Sequence, residues 1–238
     1  MISFVWPPGE PMLAGTGGSE TYTAGHAREL LRRGIDAQVV TIGHGLKDGR
    51  QDFQDIPFLA LPSAADISEL PGVVVFVNKA YSVATKNKAT IIFHCSIPKS
   101  SDRERYKAFA AGKTIIATSV YSGQQWALYL DIPYSRINIV LPFADPIFRN
   151  VKRPKGTKKT RILFAGRLHP EKGIYTILEM MHQKDMRHNG FLTTIAAAGL
   201  HVETGREIAR MLKGYPYAKI IPAQKTVPLM AQLLARND

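Results

Sequence analysis

The stretch from Arg161 to Met181 reads RILFAGRLHPEKGIYTILEMM and predicts a strand followed by a helix. Residues 162–165 form a short apolar run after a basic segment, which is typical of a buried parallel strand. Gly166 is expected to end that strand. After Gly173, apolar side chains recur at helical spacing, at Ile174, Ile177, Leu178 and Met181. The stretch therefore predicts a strand–turn–helix unit of an α/β sheet.

Two cations, Arg167 and Lys172, flank the predicted turn. Pro170 and Glu171 suit the first turn of the helix, because proline needs no N–H partner there and a carboxylate meets the positive end of the helix dipole. The turn follows the carboxyl end of a strand, which is where open α/β sheets bind ligands. Cations beside free helix N–H groups predict an anion site, most naturally for a phosphate or diphosphate. The alternative is a solvated loop with two surface cations.

Length and composition are those of an ordinary globular protein. The chain has 238 residues, of which 45% are hydrophobic and 21% charged, enough for one large or two small domains. No apolar run approaches the roughly 20 residues of a membrane helix. The apolar start lacks a basic n-region, so no signal peptide is expected. Cys95 is the single cysteine, which excludes an internal disulfide and favours a cytoplasmic location.

The charge is strongly basic. Lysine and arginine number 31 against 19 acidic residues, a net charge of +12, and the excess concentrates in residues 79–113 and 149–161. Such an excess favours anionic partners, namely nucleotide sugars, anionic lipid surfaces or nucleic acid, although it can also serve solubility alone. The sequence has no aromatic-rich RNA-binding segment and no zinc spacing, so we predict no nucleic-acid partner. The histidines have no partners at metal-ligand spacing, so we predict no metal site.

Strands alternate with helices along the chain, which predicts parallel, doubly wound sheets. Predicted strands span 2–6, 37–42, 56–61, 73–78, 90–94, 114–119, 137–141, 162–165, 192–197 and 218–221. Predicted helices span 19–33, 102–111, 122–130, 203–212 and 227–235. A proline-rich and basic linker at 149–160 divides the chain into an N-terminal domain, 1–148, and a second domain, 161–238.

A glycine loop follows the first strand and ends in Gly17 and Gly18, before a helix for which Ser19 is the predicted N-cap. It is not a dinucleotide fingerprint, because Glu20 occupies the third glycine position, and no Walker loop is present. Glycine allows backbone N–H groups to approach phosphate oxygens, since no Cβ intervenes. The alternative is an ordinary flexible loop.

Both motifs resemble those of the retaining GT-B glycosyltransferases of family 4. Gly166, Arg167, Leu168, Lys172 and Gly173 match that family's G-R-L-x-x-x-K-G, and the N-terminal loop and helix match its G-G-x-E and L-x-x-x-G at Gly17, Gly18, Glu20, Leu30 and Gly34. The resemblance implies two Rossmann-like domains that face a cleft. It implies that Arg167 and Lys172 hold the diphosphate of a nucleotide-sugar donor, which the glycine loop approaches.

The resemblance also assigns residues at strand ends. It implies that His94 reaches the donor sugar near the reacting centre; a buried structural histidine is the alternative. Asn78 and Lys79, at the end of another strand, are placed on the acceptor or sugar side. Cys95 is interpreted as packing, because adjacent strand residues point to opposite faces.

The sequence departs from the family pattern at several positions. Val120 and Phe143 replace the usual Glu and Gly, and His201 replaces a glycine that follows Gly199. The chain ends at Asp238, before the family's E-x7-E motif, so the second domain is expected to be incomplete. The chain is then either an excerpt of a longer enzyme or a truncated and impaired product, and the predicted function is that of the intact enzyme. The second domain offers about three strands, where open sheets usually have more.

The predicted function is transfer of a sugar, with retention, from a nucleoside diphosphate sugar such as a UDP-sugar to a hydroxyl group of a saccharide or lipid-linked acceptor. Neither a cofactor nor a metal ion is expected. The predicted location is cytoplasmic, with peripheral contact to an anionic membrane surface. Two alternatives stay open: a nicotinamide-dependent oxidoreductase on a similar fold, and a non-catalytic module that binds anions or membranes.

Overall fold

A computed structural model describes residues 1–43, 45–94, 96–153, 159–183, 191–200, 202–215, 217–222 and 224–237. The chain forms two compact units. The first comprises Met1–Leu13 and Ser19–Phe143, and the second comprises Ala14–Gly18 and Ala144–Asp238. The predicted linker, 149–160, falls within the second unit, and its residues 154–158 lie outside the described part of the chain.

A parallel sheet forms the centre of the first unit. Its strands are β1 Ile2–Val5, β2 Ala37–Ile42, β3 Phe58–Leu61, β4 Val73–Val77, β5 Ala89–Phe93, β6 Thr114–Ala117 and β7 Ile137–Ile139. The order across the sheet is β3-β2-β1-β4-β5-β6-β7, and every pairing is parallel. After β3 the chain crosses to the other side of β1, which is doubly wound topology. The carboxyl ends of all these strands therefore lie at one edge.

Helices connect these strands, with α1 at Gly18–Arg32, α2 at Arg103–Ala110 and α3 at Val120–Leu130. Short 3₁₀ turns lie at Gly45–Lys47, Ala64–Glu69, Ser100–Asp102 and Tyr134–Arg136. The Ser119 hydroxyl caps α3 by accepting from the Ser122 N–H. Gly34 follows α1 in the left-handed conformation, at φ +73°, which is typical of a glycine at the end of a helix.

The prediction that Ser19 caps α1 was wrong. The backbone is already helical at Gly18, so Ser19 lies within the first turn.

None of the helices in the described ranges combines the length and apolarity that crossing a membrane requires.

The core of the first unit forms where the apolar central strands meet the helices. Trp126 on α3 is fully buried and stacks on Phe93 of β5, with ring centroids 3.7 Å apart. Phe76 of β4 and Phe109 of α2 pack edge to face at 4.9 Å. These contacts fix α2 and α3 against the carboxyl halves of the central strands, because the paired residues lie near the strand ends.

The second unit contains a smaller parallel sheet in the order β10-β9-β8. Its strands are β8 Arg161–Leu168, β9 Leu192–Leu200 and β10 Ala218–Pro222. Its helices are α4 Ile147–Asn150, α5 Ile174–His182, α6 Val202–Leu212 and α7 Val227–Ala235. A separate core holds this unit together, built from Leu168, Ile174, Leu178, Met181, Ile195, Ile208 and Tyr215.

The prediction that Gly166 ends its strand was wrong. Gly166 pairs with Ala197, and the strand continues through Arg167 to an irregularity before Leu168. The first-turn prediction for Pro170 and Glu171 was also wrong, because Pro170–Lys172 form a separate 3₁₀ turn and α5 begins at Ile174. Gly173, at φ +73°, is the residue that redirects the backbone.

Candidate functional site

Arg167 and Lys172 lie at the carboxyl edge of the second sheet. Arg167 is near the end of β8, and Lys172 is in the 3₁₀ turn that precedes α5. Both side chains are exposed, and neither makes an ion pair or side-chain hydrogen bond with any residue the structure describes. The acid in the turn, Glu171, instead faces His169, whose Nδ1 lies 3.5 Å from its carboxylate. The two cations are therefore available to an anion at the positive end of α5.

The glycine loop, Ala14–Gly18, belongs to the second unit. Gly15 has φ +74°, and a Cβ built on it would lie 3.2 Å from the Gln224 carbonyl oxygen and 3.4 Å from Lys225 Cα. Gln224 and Lys225 follow β10, so they are at the carboxyl edge of the second sheet, as is Arg167. Gly15 of this loop therefore lies close to the carboxyl edge that carries the two cations.

His94 follows β5 at the carboxyl edge of the first sheet, and its backbone is held from two sides. Its N–H donates to the Asn78 Oδ1 at 3.3 Å. Its carbonyl oxygen accepts from the Ser122 hydroxyl at 3.0 Å and from the Trp126 indole N–H at 2.7 Å. The fold therefore places the imidazole through hydrogen bonds to the His94 backbone.

The ring of His94 packs edge-on against Tyr22, with centroids 5.4 Å apart. Its Nε2 is buried and has no hydrogen-bond partner within the described ranges. Burial lowers the pKa of His94 to about 4, because desolvation disfavours the charged form. The imidazole is consequently neutral at pH 7, so it can exchange a hydrogen bond with a ligand but does not supply positive charge.

Asn78 and Lys79 follow β4 at the same edge of the first sheet. Asn78 adopts the left-handed conformation at φ 56°, which asparagine tolerates better than most residues. Its side chain holds the His94 backbone. Lys79 is half-buried and makes no ion pair with the part of the chain that the structure describes.

Tyr22 contributes to this site, although the sequence patterns did not indicate it. Its hydroxyl donates to the Val140 carbonyl oxygen at 2.9 Å, and its ring lies 4.2 Å from that of His26. Burial raises the pKa of Tyr22 to about 12. Its position in the first turns of α1, after the glycine loop, was the only local signal.

Phe143, a departure from the family pattern, has a matching partner in α1. A Cβ on Gly25 would lie 2.5 Å from the Phe143 Cζ, so the phenylalanine ring occupies the space that the glycine leaves. The ring also meets His26 edge-on at 5.3 Å. Phe143 and Gly25 therefore fit each other in shape.

Cys95 and His201 lie outside the described residues. Within the described ranges, no group of three or more His, Cys, Asp or Glu side chains could hold a metal ion.

Comparison with known proteins adds a fold-level result. No protein-family model matches the chain, and no curated protein matches its sequence. Solved structures do match. A glycosyltransferase from Rickettsia africae ESF-5 superposes with a TM-score of 0.75 at 17% identity, covering 100% of this chain and 71% of that one. WaaG, a glycosyltransferase involved in lipopolysaccharide biosynthesis, gives 0.69 at 15% identity, with 100% and 73% covered.

A third structure is an α-glucosyltransferase in complex with UDP and a 13-mer DNA containing a HMU base. It gives a TM-score of 0.63 at 12% identity and covers 99% of this chain and 70% of that one. The fold is of the GT-B glycosyltransferase type. This confirms the predicted fold class, with a doubly wound parallel α/β sheet in the first unit and a smaller parallel sheet in the second. At these identities the likeness establishes the fold, and the activity is a separate question.

Proposed function

We propose that this protein transfers a sugar, with retention, from a UDP-sugar to a hydroxyl acceptor. The observation that carries the proposal is the pair Arg167 and Lys172, exposed and without an acidic partner among the described residues. Both lie at a carboxyl sheet edge that Gly15 of the glycine loop approaches. Two cations, a helix N-terminus and glycine backbone suit a diphosphate better than they suit a monoanion.

In this mechanism the bond between the anomeric carbon and the diphosphate oxygen breaks, and negative charge grows on the departing diphosphate. Arg167, Lys172 and the positive end of α5 stabilise that charge, so the mechanism needs no metal ion and no cofactor. Neutral His94 offers its ring nitrogen to a sugar hydroxyl. The acceptor hydroxyl approaches on the face from which the diphosphate leaves, gives its proton to the departing diphosphate oxygen and bonds to the anomeric carbon. This retains the anomeric configuration without a protein nucleophile.

The choice of substrates is supported by the fold neighbours. The α-glucosyltransferase was solved with UDP, which supports a uridine donor here. WaaG acts in lipopolysaccharide biosynthesis, and another neighbour, WaaB, is a lipopolysaccharide outer core galactosyltransferase with a TM-score of 0.58. These support a saccharide or lipid-linked acceptor. Because the α-glucosyltransferase was solved with DNA, an acceptor screen should include a DNA duplex as a check on the prediction that nucleic acid is not a partner.

A thermal-shift screen of nucleoside diphosphates and their sugars tests the donor class, since a ligand of the folded state raises the melting temperature. We expect UDP and at least one UDP-sugar to raise it, with EDTA making no difference. NMR of the product then reports the anomeric configuration. A shift by nicotinamide cofactors, with none by any nucleotide sugar, would instead support the oxidoreductase.

In the proposed mechanism, Lys172→Ala should reduce the rate of transfer by about ten- to a thousand-fold, as loss of one oxyanion donor does. Lys213 is also exposed and follows α6, away from the carboxyl edge of the sheet, so Lys213→Ala is the matched control. Equal activity of the two variants would remove Lys172 from the site.

We also propose peripheral contact of the first unit with an anionic membrane. Helix α3 has no charged residue, yet its outer face exposes Val120 to 53%, Tyr121 to 66% and Leu128 to 72%. Such a face suits the headgroup region, where aromatic and aliphatic side chains insert together. The net charge of +12 adds long-range attraction to anionic lipid.

A further inference from the structure

The aromatic ring of Phe143 is fixed at its tip, whereas much of the residue remains open to solvent. The Cζ atom fits into the space beside Gly25 of α1, where an added Cβ would lie only 2.5 Å from it. The residue is nevertheless 53% exposed. The exposed part adds nothing to stability, because apolar area stabilises a protein only when it is removed from water. Packing on α1 therefore explains how the ring is held but not why it is left exposed.

His26 lies beside this ring and offers a hydrogen-bond acceptor. The two rings meet edge to face, with centroids 5.3 Å apart. The His26 Nδ1 lies 2.8 Å from the Tyr22 carbonyl oxygen, and because a carbonyl can only accept, this nitrogen carries a proton. In the neutral ring Nε2 is then an acceptor, and it makes no hydrogen bond with the residues that the structure describes. A fixed apolar ring and a fixed acceptor thus lie side by side.

The same cluster of rings extends to His94. The ring of Tyr22 lies 4.2 Å from that of His26 and 5.4 Å from that of His94. The Tyr22 hydroxyl donates to the Val140 carbonyl oxygen, which ties the segment before Phe143 to α1. All of these residues belong to the first unit, so the cluster is complete within that unit.

We propose that Phe143 and His26, the ring site, bind one sugar unit of the acceptor. A pyranose has an apolar face of C–H groups, whose partial positive charge suits the negative face of an aromatic ring. Its hydroxyl groups lie at the rim, where one can donate to the His26 Nε2. Neither contact calls for charge on the ligand, in contrast to the pair Arg167 and Lys172.

This inference rests on the proposed function, because that function makes the ligand an acceptor. It goes further in one respect: the acceptor is a saccharide and not a simple lipid alcohol, since only a sugar ring supplies both the apolar face and the neighbouring hydroxyl. Phe143, which departs from the family pattern, is then a residue that determines acceptor specificity.

Two variants disturb the ring site by different routes. Phe143→Leu keeps an apolar side chain and removes the ring, whereas Gly25→Ala displaces the ring with a Cβ. Since alanine favours a helix more than glycine does, unfolding of α1 would not explain an effect of Gly25→Ala. Leu141 is also exposed and lies outside the ring cluster, so Leu141→Ala is the matched control. Melting temperatures of the variants check that each one is folded.

NMR titration with methyl glycosides of glucose, galactose, mannose and rhamnose, in the absence of any nucleotide, tests the ring site. For at least one glycoside at up to about 50 mM, we expect shifts of the Phe143 and His26 ring signals of the wild type. The affinity for that glycoside should fall about 3- to 10-fold in Phe143→Leu and Gly25→Ala, as loss of one aromatic contact predicts. Leu141→Ala should bind it as the wild type does.

An unchanged affinity in Phe143→Leu, or no shift with any of the glycosides, would overturn the ring site. Shifts with uridine and with no glycoside would make the ring a contact for a nucleobase and would overturn it as well. The proposed function is decided separately, by titration with nucleoside diphosphates. A wild type that binds a glycoside here but no nucleoside diphosphate would refute the proposed function while the ring site stands.

Discussion

At the scale of single residues, the low pKa of His94 makes the stability of the protein depend on pH. Its folded pKa is about 4 because of burial, whereas an unfolded histidine has a pKa of about 6.5. Below pH 6.5 the unfolded chain therefore binds a proton that the folded chain does not. The free energy of unfolding therefore decreases as pH falls from about 6.5 to about 4, by about 3 kcal/mol in total. Above pH 6.5 the histidine has no further effect on stability.

We expect His94→Gln to abolish this loss, because glutamine does not titrate. Urea denaturation at pH 7 and pH 4.5 measures the free energy of unfolding, and His182→Gln, which replaces an exposed histidine, is the control. If His94→Gln loses as much stability on acidification as the wild type does, the histidine is not held in its neutral form.

The position of a residue that follows a strand or a glycine could be predicted from the sequence, whereas contacts with distant partners could not. The positions of Arg167, Lys172 and His94 were predicted because each lies next to a recognisable local pattern. Asn78 was singled out only by its place at a strand end, and nothing local showed that it holds the His94 backbone. Tyr22 donates to Val140, 118 positions away, so its position after the glycine loop could not reveal its hydrogen-bond partner.

At the scale of secondary structure, a substitution at Gly166 distinguishes a role in the fold from a role in ligand binding. A Cβ there would meet nothing closer than the Phe164 ring, at 3.8 Å, and the residue pairs regularly with Ala197. We therefore expect Gly166→Ala to leave the melting temperature unchanged or slightly raised, since alanine loses less backbone entropy. Glycine within a strand often marks close approach of a ligand, so UDP affinity should fall. A large fall in melting temperature would show that the fold itself requires this glycine.

Helix α3 fixes the end of β5, and Trp126 is its main contact. Trp126→Phe removes the indole donor to the His94 carbonyl and part of the stacking on Phe93. We expect a loss of about 2–3 kcal/mol in the free energy of unfolding, measured in urea. Tyr129→Phe removes a more exposed donor to the Lys99 carbonyl and should cost about 1 kcal/mol or less. Equal losses would mean that the buried indole of Trp126 stabilises the protein no more than the exposed hydroxyl of Tyr129 does.

The alternation of apolar strands and helices was enough to predict the elements, since parallel strands buried on both faces are apolar throughout. The ends of these strands and helices could be predicted less well. Strand β8 passes through Gly166 because pairing with β9 outweighs the entropic cost of glycine in a strand. The 3₁₀ turn at Pro170–Lys172 depends on the left-handed Gly173, a conformation that spacing alone does not reveal.

At the scale of the whole molecule, sequence patterns predicted two α/β sheets but not the assignment of the glycine loop to a unit. Residues Ala14–Gly18 join the second unit through a contact with Gln224 and Lys225, far along the chain. Such an assignment arises from tertiary packing, whereas linker composition reports only where the chain is polar.

The exposed face of α3 leads to a prediction about the whole protein and membranes. We expect sedimentation with phosphatidylglycerol vesicles that weakens with salt, and Leu128→Glu should reduce it to the level seen with phosphatidylcholine. Leu141 is 62% exposed but lies outside α3, so Leu141→Glu is the matched control. Equal binding by the two variants would place the membrane contact elsewhere.

The central claim is that Arg167 and Lys172 receive a diphosphate, and calorimetric titration with UDP and with uridine tests it most directly. The wild type should bind UDP at least about tenfold more tightly than uridine, because charge-assisted hydrogen bonds act only on the diphosphate. The double variant Arg167→Ala/Lys172→Ala should lose most of this preference for UDP, because only the helix N-terminus and the glycine backbone remain for the diphosphate, while Lys213→Ala keeps the preference. A double variant that still prefers UDP to the wild-type extent would contradict the claim.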